Sequence, residues 1–309
     1  MKRKVIQLAG RTLVVSIPSA WASKYKIKKG DEVDISDDGT SLKITTSQKE
    51  SGNKKISIDL SSTTRSIARA AISGLYKRGY DEITVNYNSK EVYDAIIEKK
   101  KEVLLGFTLH EISNDKLVLD SFTHDSPKEF ENSLRRAFLV TMSMGENLLD
   151  AIRSNDFKNL KNIKTSENTN NQLTSFCERL INKGFVSQEE ASFFYVICWN
   201  LEKACDPYLE IANLLEENKN MKLSPDVISL FEEVNAFLRG FYDALYNYST
   251  EKIARLEDKK KKIMDKAKVA YKNKSSTECQ IINNLFEIAA LTSNFIGPIT
   301  ALNTAKLTG

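Results

Sequence analysis

Histidine and paired cysteine are scarce in this chain: 309 residues carry two histidines, His110 and His124, and four cysteines, Cys177, Cys198, Cys205 and Cys279. No Cys-x-x-Cys occurs and no histidine is spaced to complete a metal set, so neither a zinc site nor a thioredoxin-type redox pair is encoded. His110 falls in a strand-like run and His124 in a linker, with no partner placed for a Ser-His-Asp arrangement. The 12 glycines form no phosphate-cradling loop. No apolar run approaches the roughly 18 residues of a membrane span. Met1 to Lys4 imitates a signal-peptide head, but Gln7, Gly10 and Arg11 interrupt the apolar segment that should follow. These absences predict a cytoplasmic protein that is not an enzyme and does not insert into a membrane.

One further absence is of a charge sign. The first thirty residues contain no Asp or Glu, yet carry Lys2, Arg3, Lys4, Arg11, Lys24, Lys26, Lys28 and Lys29 around the run Gly10 to Pro18. Residues 1–50 hold ten Lys or Arg against six Asp or Glu, a surplus of four. The whole chain, with 45 against 41, has the same surplus, so residues 51–309 sum to zero. An excess confined to one small module speaks of that module's partner, because phosphate backbones attract basic patches through counterion release. Acidic proteins, anionic membrane surfaces and plain solubility compete as explanations.

The length calls for two or three domains. Residues 4–46 read as short strands and turns: Val5, Leu8, Leu13, Val15 and Ile17 lie in two β-type runs broken at Gly10-Arg11, and Pro18 ends the second. Ser19 is placed to cap a short helix in which Trp21 and Tyr25 lie four apart. Gly30-Asp31 and Asp38-Gly39 then turn the chain into Val33-Asp34-Ile35 and Leu42-Lys43-Ile44. So few residues bury little core alone, which predicts pairing with a second copy as a homodimer. Ser47 to Lys55 reads as a linker.

Residues 55–123 follow a β-α-β-α-β-β order: Ile56 to Leu60, Ser62 to Arg78, Ile83 to Tyr87, Lys90 to Lys101, Leu104 to Glu111 and Leu117 to Phe122. This is an α+β pattern without recognisable chemistry, a spacer or dimer surface. From Ser126 the periodicity is helical, as in Leu134, Phe138, Met142, Leu148, Leu149 and Ile152. Breaks near Asn155-Asp156, Gly184, Asn220 with Pro225, Ser249-Thr250 and Ser275-Ser276 cut residues 126–309 into six helices. Asp150-Ala151 returns as Asp243-Ala244, and Asn200 to Glu202 returns as Leu285 to Glu287, which suggests two three-helix units. Cys198 and Cys205, seven apart, read as small core residues. Pro207 should kink its helix. The run Lys259 to Lys262, with Glu251, Glu257, Asp258 and Asp265 around it, reads as a solvated helix face.

Two resemblances rest on these residues. Gly10 to Pro18, followed by Trp21, Ile27, Gly30-Asp31 and Val33, resembles the swapped-hairpin AbrB/MazE/SpoVT class of dimeric DNA-binding domains. Leu201 to Asp206, with Ile211-Ala212, is similar to the third-helix motif of PhoU, the phosphate-uptake regulator. Together they resemble archaeal-type phosphate-uptake regulators that fuse an AbrB-like head (residues 1–50) to a PhoU-like body (126–309). The implied fold is multidomain: a small β swapped-hairpin domain, an α+β middle domain (55–123) and an all-α pair of three-helix bundles.

The first resemblance implies DNA contacts by Lys2, Arg3, Lys4, Gln7, Arg11 and Lys24. Ala22 and Ser23 stand where some members carry paired arginines, which favours phosphate contacts over base reading. The second implies a divalent or iron-type metal ion at Glu167, Glu202 and Asp206. The second half keeps Glu287 but has Leu291 in place of the matching acid, while Glu167 is followed by Asn170 and Asn171, so ordinary surface carboxylates are the alternative. The combined expectation is a dimeric transcriptional regulator of phosphate uptake and homeostasis whose body senses a state or binds a partner. The alternative is an adaptor that docks a phosphate-transporter ATPase or a signalling kinase, its head serving only to dimerise.

Overall fold

The structure, a computed structural model, describes residues 2–8, 10–37, 39, 41–46, 54–122, 125–158, 160–218 and 221–307. Most of the expected linker, Ser47 to Asn53, and His124 lie outside the described residues, as do the side chains of Lys24 and Lys43. The chain divides into two compact units, Met1–Asn53 and Lys54–Gly309.

The first unit is two hairpins and a helix. Strands β1 (Val5–Leu8) and β2 (Thr12–Val15) pair antiparallel, with Val5 opposite Val15 and Leu8 opposite Thr12. Gly10 turns the chain at φ +79°, a conformation that disfavours any residue with a Cβ. Helix α1 (Ser19–Lys24) follows, and its N-cap position is Pro18 rather than Ser19. No side chain caps it, and Ser19 is already helical because Pro18, at φ −59°, sets the chain's entry. Trp21 and Tyr25 do meet, their ring centroids 5.1 Å apart. Strands β3 (Val33–Asp37) and β4 (Leu42–Thr46) form the second hairpin, and the two hairpins share no ladder. Among the described residues of this unit, none is buried.

The second unit opens with a four-stranded sheet in the order β5-β6-β8-β7. β5 (Lys55–Asp59) and β6 (Glu82–Asn86) run parallel, linked through α2 (Arg65–Lys77). Helix α3 (Lys90–Val103) carries the chain on to β7 (Phe107–Ser113). β8 (Lys116–Ser121) then returns antiparallel between β6 and β7, with a bulge between Glu111 and Ser113. Alternation along β6 and β8 buries Ile83, Val85, Leu117 and Leu119, as a half-buried sheet requires. Thr64 and Ser89 cap α2 and α3 with their hydroxyls.

The helical body comprises α4 (Pro127–Ser154), α5 (Lys161–Asn182), α6 (Gln188–Lys203) with α7 (Cys205–Glu217), then α8 (Pro225–Tyr246), α9 (Thr250–Ala270) and α10 (Ser276–Ser293) with α11 (Ile296–Ala301). The six expected rods are present, but the third rod of each half is broken in two. The physical reason is the same twice. Pro207 has no N–H for the carbonyl of Lys203, four residues earlier, and its ring crowds that carbonyl; the helix stops at Lys203. Pro298 stands in the same relation to Asn294, and α10 ends at Ser293. Cys177, Cys198 and Cys205 are fully buried. The segment 54–122 does not stand apart from this body: helix α5 packs on both α2 and α3 within the one compact unit.

Candidate nucleic-acid interface

The basic residues of the first unit are set out along one hairpin. Lys2, Arg3 and Lys4 are exposed and lead into β1, whereas Arg11 is exposed in the turn that closes it. The intervening strand of four residues spans roughly 13 Å. One chain therefore holds its basic arm and Arg11 at opposite ends of β1 instead of gathering them into one patch. Gln7 has a different employment: its side-chain amide donates to the carbonyl of Gly10 at 2.9 Å, bracing the turn that presents Arg11. Lys24 ends α1, and its side chain lies outside the described residues. The hairpins also expose what a folded unit normally hides: Leu13 and Leu42 are each 69% exposed, and Val5, Ile6, Leu8, Val15 and Ile35 are exposed with them.

The carboxylates singled out in the body lie near enough for their charges to interact. Glu167 on α5 feels the negative charges of Asp206 on α7, Glu102 on α3 and Glu202 on α6. Burial, aided by those neighbours, pushes its carboxyl above the usual range, although Asn171 donates to it at 2.5 Å. Lys203 lies between the other two, its ammonium 3.1 Å from Glu202 and 3.4 Å from Asp206. Burial disfavours that charge, but the two carboxylates hold the lysine above its ordinary value. Among the described residues, no three His, Cys, Asp or Glu side chains are grouped so as to hold a metal ion. The donor set therefore does not fit a multi-metal cluster: a lysine ammonium already balances two of its three acids. Glu102, engaged by Arg69 at 2.7 Å and by Lys99 at 3.2 Å, is a member that reading along the body alone missed.

A second polar constellation went unread in the sequence. Arg179 on α5 is fully buried, its guanidinium flanked by the rings of Tyr76 and Phe107 at 5.3 and 5.1 Å. It donates to the carbonyls of Tyr80 at 2.6 Å and Tyr76 at 3.3 Å, and to the carboxylate of Asp81. Lys183, one turn on, reaches Asp81 at 2.6 Å and Asp125 at 2.5 Å. Asp81 also accepts the backbone N–H of Lys54 at 2.9 Å. Burial alone would raise the Asp81 carboxyl, but these donors and charges outweigh it and hold it below the carboxylate range. Nearby, Glu178 pairs with Lys77 at 2.6 Å, and burial pushes its carboxyl up despite that partner. Reading along α5 alone gives little signal for this cluster, because Glu178 and Arg179 lie off the apolar face formed by Phe176, Cys177, Leu180 and Ile181.

Residues 6–52 match the family described as antidote-toxin recognition MazE, bacterial antitoxin. The structure is similar to the crystal structure of the phosphate transport system regulatory protein PhoU from Streptococcus pneumoniae, at 17% identity and a TM-score of 0.44, over 59% of this chain and 97% of that one. No curated protein sequence matches the chain. No helix among the described residues is long and apolar enough to cross a membrane.

Proposed function

We propose that the chain is a dimeric DNA-binding regulator, its first unit touching DNA and its second unit responding to phosphate supply or to a partner. The observation that carries this reading is a basic, acid-free first hairpin in a unit with no buried residue among those described and with many exposed aliphatic side chains. Such a unit gains a core only by association, and a second copy supplies the same aliphatic surface. The match of residues 6–52 and the run Gly10 to Pro18 favour a fold of the AbrB/MazE/SpoVT class. The arm Lys2 to Lys4 and Arg11 then serve as phosphate contacts, which position a protein on DNA and make its binding salt-sensitive. Phosphate as the signal rests on the sequence likeness of Leu201 to Asp206 and Ile211-Ala212 alone.

The test is a mobility-shift titration with promoter fragments of phosphate-uptake genes. Binding at low salt is expected, and its absence there, where electrostatics is strongest, rejects the reading. Arg11→Ala should lower affinity and flatten the dependence of log K on log salt by about one unit per lost phosphate contact. The adaptor reading is favoured by a different observation, the mixed carboxylate and lysine surface of Glu167, Glu202, Lys203 and Asp206. Recovery of a DNA-free complex with a transporter ATPase or kinase on co-purification would support it, and recovery of promoter fragments alone would count against it.

A further inference from the structure

The zero net charge of residues 51–309 conceals a segregation. Residues 250–274, helix α9 and the turn after it, hold ten Lys or Arg against four Asp or Glu, a surplus of six. The rest of the second segment must then carry a deficit of six. Part of this surplus is spent internally: Lys252, Lys266 and Lys274 pair with Asp243, Glu233 and Asp226 of α8 at 2.6, 2.6 and 2.8 Å. Lys260, Lys261, Lys262 and Lys272 have no ion-pair partner among the described residues. Glu257 and Asp258 lie one turn before Lys261 and Lys262, yet no ion pair joins them.

Two of the free lysines, Lys260 and Lys261, border a groove of about 440 Å³. The carboxylate of Glu257 and the Lys268–Asp265 ion pair, at 3.1 Å, complete its polar lining. Half-buried Met264 and Ile296 supply apolar surface inside it. Ile296 is there because the third rod breaks ahead of Pro298 and α11 starts at that residue. A space of this size accepts a few side chains, not a duplex. Its mixed signs also disfavour a uniform phosphate backbone, which would meet Glu257 and Asp265 as repulsions. A short peptide can confine its acidic side chains to the few positions that meet Lys260 and Lys261 and place an apolar side chain against Met264 and Ile296.

We propose that the α9 groove docks an acidic protein segment carrying an apolar anchor side chain. The proposal does not depend on the DNA-binding reading of the first unit. Exposed ion pairs are individually weak, so the site needs several of them plus the anchor.

The test uses the full chain and a short fluorescein-labelled peptide with glutamates on both sides of a central leucine, followed by anisotropy at low salt. Wild type should bind it. Lys260→Glu with Lys261→Glu should weaken binding about tenfold and gain affinity for the counterpart peptide bearing lysines in place of glutamates. Arginine at both positions should restore the wild-type preference, and serine in place of the peptide's leucine should weaken binding to every form. Wild-type affinity in the charge-reversed chain, indifference to the leucine, or no binding by wild type would each overturn the proposal. So would loss of affinity for a short DNA duplex alone, which would assign the surface to nucleic acid. Both positions are on the helix surface, and unchanged thermal unfolding confirms folding; should the double variant fail to fold, Lys261→Gln gives the same reading with a smaller change.

Discussion

The two units of this chain handle apolar and charged side chains in opposite ways. In Met1–Asn53, leucines and valines are exposed and no described residue is buried. In Lys54–Gly309, an arginine is fully buried and even Asp81 and Glu178 are almost wholly covered. So many exposed aliphatics on a small unit without a core mark it for association, since only scattered single apolar residues are normal on a surface. A buried arginine marks the reverse, a junction completed within one chain, where the charge is tolerated because carbonyl acceptors and an ion-pair partner are fixed around it. Composition does not foretell this difference, because both units are rich in aliphatic residues.

Substitutions should have their largest effect at the buried junction around Arg179 and their smallest at the hairpin turn. Arg179→Ala leaves Asp81 without its buried partner and should cost about 3–5 kcal/mol in unfolding of the second unit, read by urea titration. Arg179→Met, which keeps the volume, should cost less. Leu13→Asp should leave the stability of the isolated chain within about 0.5 kcal/mol, because the side chain is exposed there. It should nonetheless weaken self-association by roughly 1.5–3 kcal/mol, the value of burying a leucine, as measured by sedimentation. Equal effects on both would erase the distinction between the units.

The pH dependence of the junction is the next contrast. Asp81 has its pKa lowered on folding, so its contribution is present above the ordinary carboxylate value and is lost as pH falls through the depressed one. Glu178 has its pKa raised, so its contribution is greatest when it is protonated and declines as pH rises through the raised value. Asp81→Asn should therefore flatten the acid limb of the stability profile, and Glu178→Gln should not. Smallest is Gly10→Ala. A Cβ there meets nothing within 4 Å, so the cost is that of the positive φ alone, about 1–2 kcal/mol in the hairpin.

Much of the architecture was legible in the sequence because local signals were strong. The apolar runs from Ile83 and from Leu117 mark the sheet, and the helical periodicity from Ser126 and the break near Ser275-Ser276 mark helix starts that the structure places at Pro127 and Ser276. Pro207 reads as a kink and the structure makes it a break, whereas the segment around Pro298 reads as the tail of a helix. Long-range facts were harder. Arg179 reads as a solvent-facing charge until α2 and α3 are laid against α5, which turns a one-sided stripe into a residue covered from two sides. The same packing places residues 54–122, most of the α+β segment read from the sequence, in one compact unit with the helices. The candidate interface is legible as charge and as a strand between Lys4 and Arg11, but the hydrogen bond by which Gln7 braces the Gly10 turn is not.

The central claim is that the hairpin unit works as a pair on a phosphate backbone. Its most direct test is the stoichiometry of the full chain on a short promoter duplex at low salt, measured by sedimentation of the complex. One dimer per duplex, dissociating steeply as salt is raised, is the predicted result. A single chain bound per duplex, or no complex at low salt, would contradict it.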